Sequence, residues 1–289
     1  MDKRANRTTG KVLKRQIGDN PALSYFLYVP TQGGKNAPVL VSVHGISRNA
    51  NKHARHFSRY AEQHGVVIVA PLFDEQHYPG YQRLGLSGAR ADLALNQILA
   101  EVAEFTQANT QQLYMFGYSG GGQFVHRYAM AYPNRVAAIA IGAAGWYTLP
   151  DPDQRFPYGT AAHHKLPDLS FDLSQFLRIP AYAFVGEQDI LRDDALRQST
   201  RLDRQQGKTR FERAERWVKA MKKAARQQGL ETEFHFMPLP KADHSFTRSI
   251  KAGGMAEHVF TCLFGQSAAT PKRRSLHTKL SFTSVAHFS

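Results

Sequence analysis

Residues 117–121 read Gly-Tyr-Ser-Gly-Gly, between the apolar run Leu113–Phe116 and a stretch, Gln123–Tyr132, that reads as a helix halted by Pro133. A serine hydroxyl is a poor nucleophile in most settings. A sharp strand-to-helix turn lifts it clear of the backbone and sets it over a helix N-terminus, whose free N–H groups stabilise an oxyanion. Glycines flank such a turn because it is strained and the neighbouring chain passes close to it. The five-residue pattern is weak alone, so its strand-to-helix context carries the reading. The plain alternative is a Gly-rich turn between two core elements.

A nucleophile at Ser119 needs a base, an acid to orient that base, and a second oxyanion donor from the loop after an earlier strand. Asp189 is the candidate acid: it closes the turn Gly186-Glu187-Gln188-Asp189 behind the strand-like run Ala181–Val185. Such a position is the C-terminal edge of a parallel sheet, where ligands bind in open α/β sheets. Glu187, Asp193 and Asp194 compete with it. Of the histidines after Asp189, His235 lies within a strand, His258 within a helix, and His277 and His287 near the C-terminus. His244 follows the strand ending near Met237 and the Pro238-Leu239-Pro240 stop, in the loop Lys241–Phe246, which suits a proton-transferring base. In Val41-Ser42-Val43-His44-Gly45-Ile46, a strand ends in His-Gly, and the N–H of Ile46 can pair with that of Gly120 around an oxyanion. His44 fits a loop brace better than a base. The pairs His53/His56 and His163/His164 lack Cys or carboxylate partners at ligand spacing, so no metal is expected.

The elements that must position these residues alternate between strand-like and helix-like, which points to a parallel sheet with helices on both faces. Strands are expected at Leu23–Val29, Val39–Val43, Val66–Ala70, before Ser119, at Val136–Ile141, Ala181–Val185 and Glu231–Met237. Helices are expected at Lys52–His64, Asp92–Phe105 and about 211–229. Residues 146–178 and 190–210 break the rhythm and read as insertions at strand ends, where loops carry specificity. A single domain over residues 1–265 followed by a basic tail, 266–289, is expected, with Leu280–Val285 a possible edge strand.

In that order His44-Gly45, Gly117–Gly121, Gly186-x-x-Asp189 and Asp243-His244 make residues 11–265 resemble the α/β-hydrolase superfamily. Within it the chain is most similar to polyhydroxybutyrate depolymerase/feruloyl esterase-like esterases, a likeness to which Ala144-Gly145-Trp146-Tyr147 contributes. The resemblance implies the α/β-hydrolase fold, with triad roles for Ser119, Asp189 and His244 and oxyanion donors at Ile46 and Gly120. It also implies hydrolysis of a small or oligomeric carboxylic ester through an acyl-enzyme, with no metal or organic cofactor. The stretch after residue 265 departs from the pattern. Trp146 and Tyr147, with Phe156 and Tyr158, either line a substrate pocket beside Ser119 or pack the insertion. Two other readings compete: a small aminopeptidase-like serine peptidase, and a silent hydrolase fold serving as a binding module.

Composition narrows the field further. The 289 residues are 42% hydrophobic, enough for a sizeable core, and carry one cysteine, so no intrachain disulfide is possible. That favours a reducing compartment, the cytoplasm, with a secretory signal outside this numbering left open. No apolar stretch approaches a membrane span. The net charge is +14, but residues 1–20 hold six Lys/Arg against two Asp and residues 266–289 hold four Lys/Arg and no acid. The ends thus supply more than half of it, and no interleaved aromatic/basic motif argues for nucleic acid. An anionic substrate or acidic surface stays compatible with it.

Overall fold

Val39, Val41 and Val43 are buried on one side of a central sheet and Leu40 on the other, the alternation of a strand covered on both faces. The computed structural model describes residues 9–265 apart from Thr232. Its strands are β1 (Val12–Gln16), β2 (Ser24–Tyr28), β3 (Pro38–Val43), β4 (Val67–Pro71), β5 (Asn109–Tyr118), β6 (Val136–Gly142), β7 (Ala181–Gly186) and β8 (Phe234–Leu239). They form one sheet in the order β1-β2-β4-β3-β5-β6-β7-β8. The β1–β2 and β2–β4 pairs are antiparallel; all others are parallel.

The helices, in chain order, begin with α1 (Ala50–His64), α2 (Ala91–Thr106), α3 (Gly120–Ala131) and α4 (Leu173–Phe176). They continue with α5 (Thr200–Gln206), α6 (Arg210–Gln227), α7 (Phe246–Lys251) and α8 (Met255–Phe264). Helices α1 and α8 cover one face, where Phe57 packs between Phe116 and Phe260. The other face is covered by α2, α3 and α6, whose Leu95, Phe124, Tyr128 and Trp217 join the valines of β3. Parallel β3, β5, β6 and β7 all end at one edge, so the loops after them converge there.

The expected elements are found with small shifts, and four differences stand out. Strand β1 was not expected: its Val-Leu-Lys-Arg-Gln is a half-exposed edge strand with little apolar signal. Pro71 closes β4 instead of following it. Strand β8 starts at Phe234 and runs through Pro238, which it tolerates because only β7 pairs with it. Helix α3 begins at Gly120, so three glycines form its first turn. The insertions at 146–178 and 190–210 are mostly loop, with α4 and α5 inside them, and follow β6 and β7. No helix among the described residues is long and apolar enough to cross a membrane. The edge strand expected at Leu280–Val285 and the tail lie outside the described residues.

Candidate active site

Strand β5 ends at Tyr118 and α3 begins at Gly120, so Ser119 alone makes the turn. Its φ of 54° and ψ of −112° are values a non-glycine residue rarely adopts. The Ser119 N–H donates to the Gly142 carbonyl at 2.7 Å, which ties the turn to the end of β6. A Cβ on Gly117 would lie 2.2 Å from the Gly121 carbonyl oxygen, and one on Gly121 2.0 Å from that of Val43. Both glycines are therefore imposed by backbone contact.

The structure brings Ser119, His244 and Asp189 together. His244 Nε2 is 3.2 Å from Ser119 Oγ, and His244 Nδ1 is 2.8 Å from Asp189 Oδ2. The two loops that carry Asp189 and His244 are bonded to each other: the Glu187 N–H donates to the Leu239 carbonyl and the Gln188 N–H to that of Ala242. The Tyr118 ring stacks on His244 at 5.7 Å. Of the competing acids, Glu187 and Asp194 are exposed, and Asp193 is held by Arg210 at 2.7 and 2.9 Å. Arg210 also reaches Asp189 Oδ1 at 3.3 Å, and its guanidinium holds Asp193 below the usual carboxylate range. Sequence reasoning missed Arg210, for which no spacing rule exists: it is simply the first residue of a basic helix.

His44 acts as the brace expected of it. The Phe73 N–H donates to its Nε2 at 3.0 Å, so Nδ1 carries the proton and donates to the Gly45 carbonyl at 2.7 Å. Burial pushes its pKa down to about 4, which keeps the imidazole neutral. Tyr81, also missed in the sequence, donates its hydroxyl to the His44 carbonyl at 2.7 Å. That hydroxyl would lie 2.7 Å from a Cβ on Gly120. The Gly120 N–H is in the first turn of α3, where no intrahelical acceptor exists. Ile46 follows β3, is exposed, and lines both cavities that Ser119 borders.

One of those cavities, about 360 Å³, is lined by Tyr118, His244, Ser245, Phe246 and Thr247. The other, about 170 Å³, is lined by Gln82, Arg83, Gly120, Gln123, Trp146 and Arg197. Trp146 thus faces the space beside Ser119. Tyr147 does not, which corrects its expected substrate contact: the ring is fully buried, 5.0 Å from Trp217 and 5.4 Å from His126, and borders neither cavity. Phe156 stacks on Phe171 within the insertion, while Tyr158 lies 5.1 Å from Trp146. His53 is buried against Phe246, and His163 and His164 stack on each other.

Comparison with known proteins places this geometry in a class. No family model matches the chain. It is 25% identical over 136 residues to feruloyl esterase B of Thermothelomyces thermophilus, covering 44% of this chain and 46% of that protein. It is 26% identical over 116 residues to the bifunctional acetylxylan esterase/xylanase XynS20E of Neocallimastix patriciarum, covering 39% of this chain and 17% of that one. The chain therefore matches less than half the length of these curated relatives. Among solved structures, it superposes on LpqC, a poly(3-hydroxybutyrate) depolymerase from Bordetella parapertussis, with a TM-score of 0.70. That match is 26% identical and covers 91% of this chain and 92% of that one. The fold is that of the α/β-hydrolases, and the chain is similar to serine esterases within that superfamily.

Proposed function

We propose that the protein is a serine carboxylic-ester hydrolase that works through an acyl-enzyme on Ser119. The observation that carries this reading is His244, set within hydrogen-bond reach of Ser119 Oγ on one ring nitrogen and of Asp189 on the other. His244 Nε2 takes the Ser119 proton as Oγ attacks the ester carbonyl carbon. Asp189 holds the Nδ1–H tautomer and stabilises the imidazolium. The N–H groups of Ile46 and Gly120 receive the oxyanion; losing one such donor typically costs about 3–4 kcal/mol of barrier. The carbon–oxygen bond of the ester then breaks, and His244 returns its proton to the departing alcohol. Water, deprotonated by the same histidine, cleaves the acyl-enzyme. The names of the similar proteins, a feruloyl esterase and a poly(3-hydroxybutyrate) depolymerase, support an ester over an amide substrate. The single half-buried Cys262 agrees with a reducing compartment, the cytoplasm.

A panel of 4-nitrophenyl esters and aminoacyl 4-nitroanilides, run on wild type and Ser119→Ala, tests the reading. Ester turnover lost in Ser119→Ala is the expected result. Turnover of the anilides alone would make it a peptidase, and no turnover of either would make it a binding module.

A further inference from the structure

Three guanidinium groups gather at the smaller cavity beside Ser119. Arg83 and Arg197 line it, and Arg127, fully buried, lies behind Trp146 with its guanidinium 4.2 Å from the indole centroid. Arg197 approaches the same ring at 5.3 Å. Among the described residues, Arg127 forms no salt bridge, whereas the other fully buried arginines, Arg210 and Arg213, do. Half-buried Arg83 donates to Ser87 Oγ and exposed Arg197 to the Tyr158 hydroxyl, and among the described residues neither of them has a salt bridge either. Arg127 is met by neutral oxygens only: Thr148, the Gln82 carbonyl and Gln123. Its Nη2 and the Nε of Arg83 are buried without a hydrogen-bond partner. Burial, then the mutual repulsion of these cations, lowers the pKa of both Arg83 and Arg127. Concentrated positive charge without a counter-ion is costly in a partly desolvated site, and an anion bound there would relieve it.

The cavity in which this charge lies identifies the part of the substrate. The departing alcohol must sit where His244 Nε2 can protonate it, in the cavity bordered by His244, Ser245 and Phe246. The arginine-lined cavity borders Ser119, Gly120 and Gln123, and none of His244, Ser245 or Phe246 lines it. It is the place for the acyl group. At about 170 Å³ it has room for a short chain.

We propose that the preferred substrates are esters of short acyl groups ending in a carboxylate, with Arg83 and Arg197 gripping that carboxylate and Trp146 walling the chain. This rests on the serine-esterase reading above. The pair Arg83 and Arg197 binds and positions the acyl group, leaving the chemistry to Ser119 and His244.

The test compares 4-nitrophenyl hydrogen adipate with 4-nitrophenyl hexanoate, equal in chain length and different only in the terminal carboxylate. After correction for spontaneous hydrolysis, the wild-type kcat/KM ratio should favour the half ester by about tenfold or more, the scale of one charge-assisted contact. Arg83→Gln and Arg197→Gln should each lower that ratio by about tenfold, with partial recovery in Arg83→Lys and Arg197→Lys. Lys219→Gln removes the same charge from an exposed face of α6, where Lys219 pairs with Glu215, and should leave the ratio unchanged. A wild-type ratio of one or less, or a ratio unaltered in both Gln variants while hexanoate is still cleaved, overturns the carboxylate pocket and spares the esterase. If neither ester is cleaved, the esterase reading fails, and calorimetric titration with adipate reads the pocket by itself. Binding that is lost in the Arg83→Gln/Arg197→Gln double variant upholds it, and no binding to wild type overturns it.

Discussion

Arg210 Nη1 lies 3.3 Å from Asp189 Oδ1, the carboxylate oxygen that His244 leaves free. The Asp189 carboxylate is therefore held from both sides, and the same guanidinium is itself locked by two bonds to Asp193. On the proposed mechanism Arg210 is a positioning residue, acting on His244 through Asp189. Arg210→Gln should lower kcat about tenfold with KM little changed, because the interaction orients the base and does not touch substrate. A double-mutant cycle with Asp189→Asn checks this. The two losses should be strongly non-additive, and additive losses would show that Arg210 acts elsewhere.

Gly121 and Gly45 differ in how much a side chain would cost. A Cβ on Gly121 would meet the Val43 carbonyl at 2.0 Å and that of His44 at 2.6 Å, backbone atoms with nowhere to move. Gly121→Ala should prevent folding or lower Tm sharply. On Gly45 the nearest atoms would be the Tyr118 carbonyl at 3.3 Å and Ser119 Cβ at 3.4 Å. Gly45→Ala should fold and lose about tenfold in kcat by nudging the nucleophile. Thermal melts and steady-state kinetics on the two variants separate these outcomes.

How much of this was legible beforehand follows from the kind of interaction involved. Ser119, Asp189 and His244 each sit at the end of a strand, and strand ends carry local signals: a glycine turn, a proline stop, a change of period. Arg210, Arg83 and Tyr81 carry no such signal. They reach the site from a helix start or a loop, through contacts of long sequence separation that only the packed chain defines. Tyr147 was misjudged for a related reason, since two adjacent aromatics in a loop look alike until the backbone decides which one turns inward. The edge strand β1 escaped because a half-exposed strand rich in Lys and Arg has almost no apolar pattern.

Tyr147→Phe keeps the ring that packs on Trp217 and should leave kcat/KM within about twofold. Trp146→Ala opens the wall of the small cavity and should raise KM for every ester tested by about tenfold. Kinetics on this pair check the reassignment. A large catalytic loss in Tyr147→Phe would return that residue to the site.

His44 makes folding sensitive to acid. In the unfolded chain the imidazole takes up a proton near pH 6.5, while in the fold burial delays this to about pH 4. Between those values the unfolded state binds more protons, so stability is full above pH 6.5 and is lost as pH falls toward 4. The depression corresponds to about 3 kcal/mol. Buried His126, which accepts the Thr148 N–H and bonds the Gly122 carbonyl, is lowered in the same direction and adds to the effect. Urea denaturation at about pH 7.5 and about pH 4.5 should give a smaller stability difference for His44→Asn than for wild type. Equal differences would remove His44 as the cause.

The central claim is that Ser119 carries the acyl group. Rapid acid quench of a 4-nitrophenyl acetate reaction, followed by peptide mass mapping, tests it directly. The account predicts an initial release of about one equivalent of 4-nitrophenol per protein, an acetyl group on the peptide containing Ser119, and neither in Ser119→Ala. Turnover that persists in Ser119→Ala, or an acetyl group mapped to another residue, would contradict it.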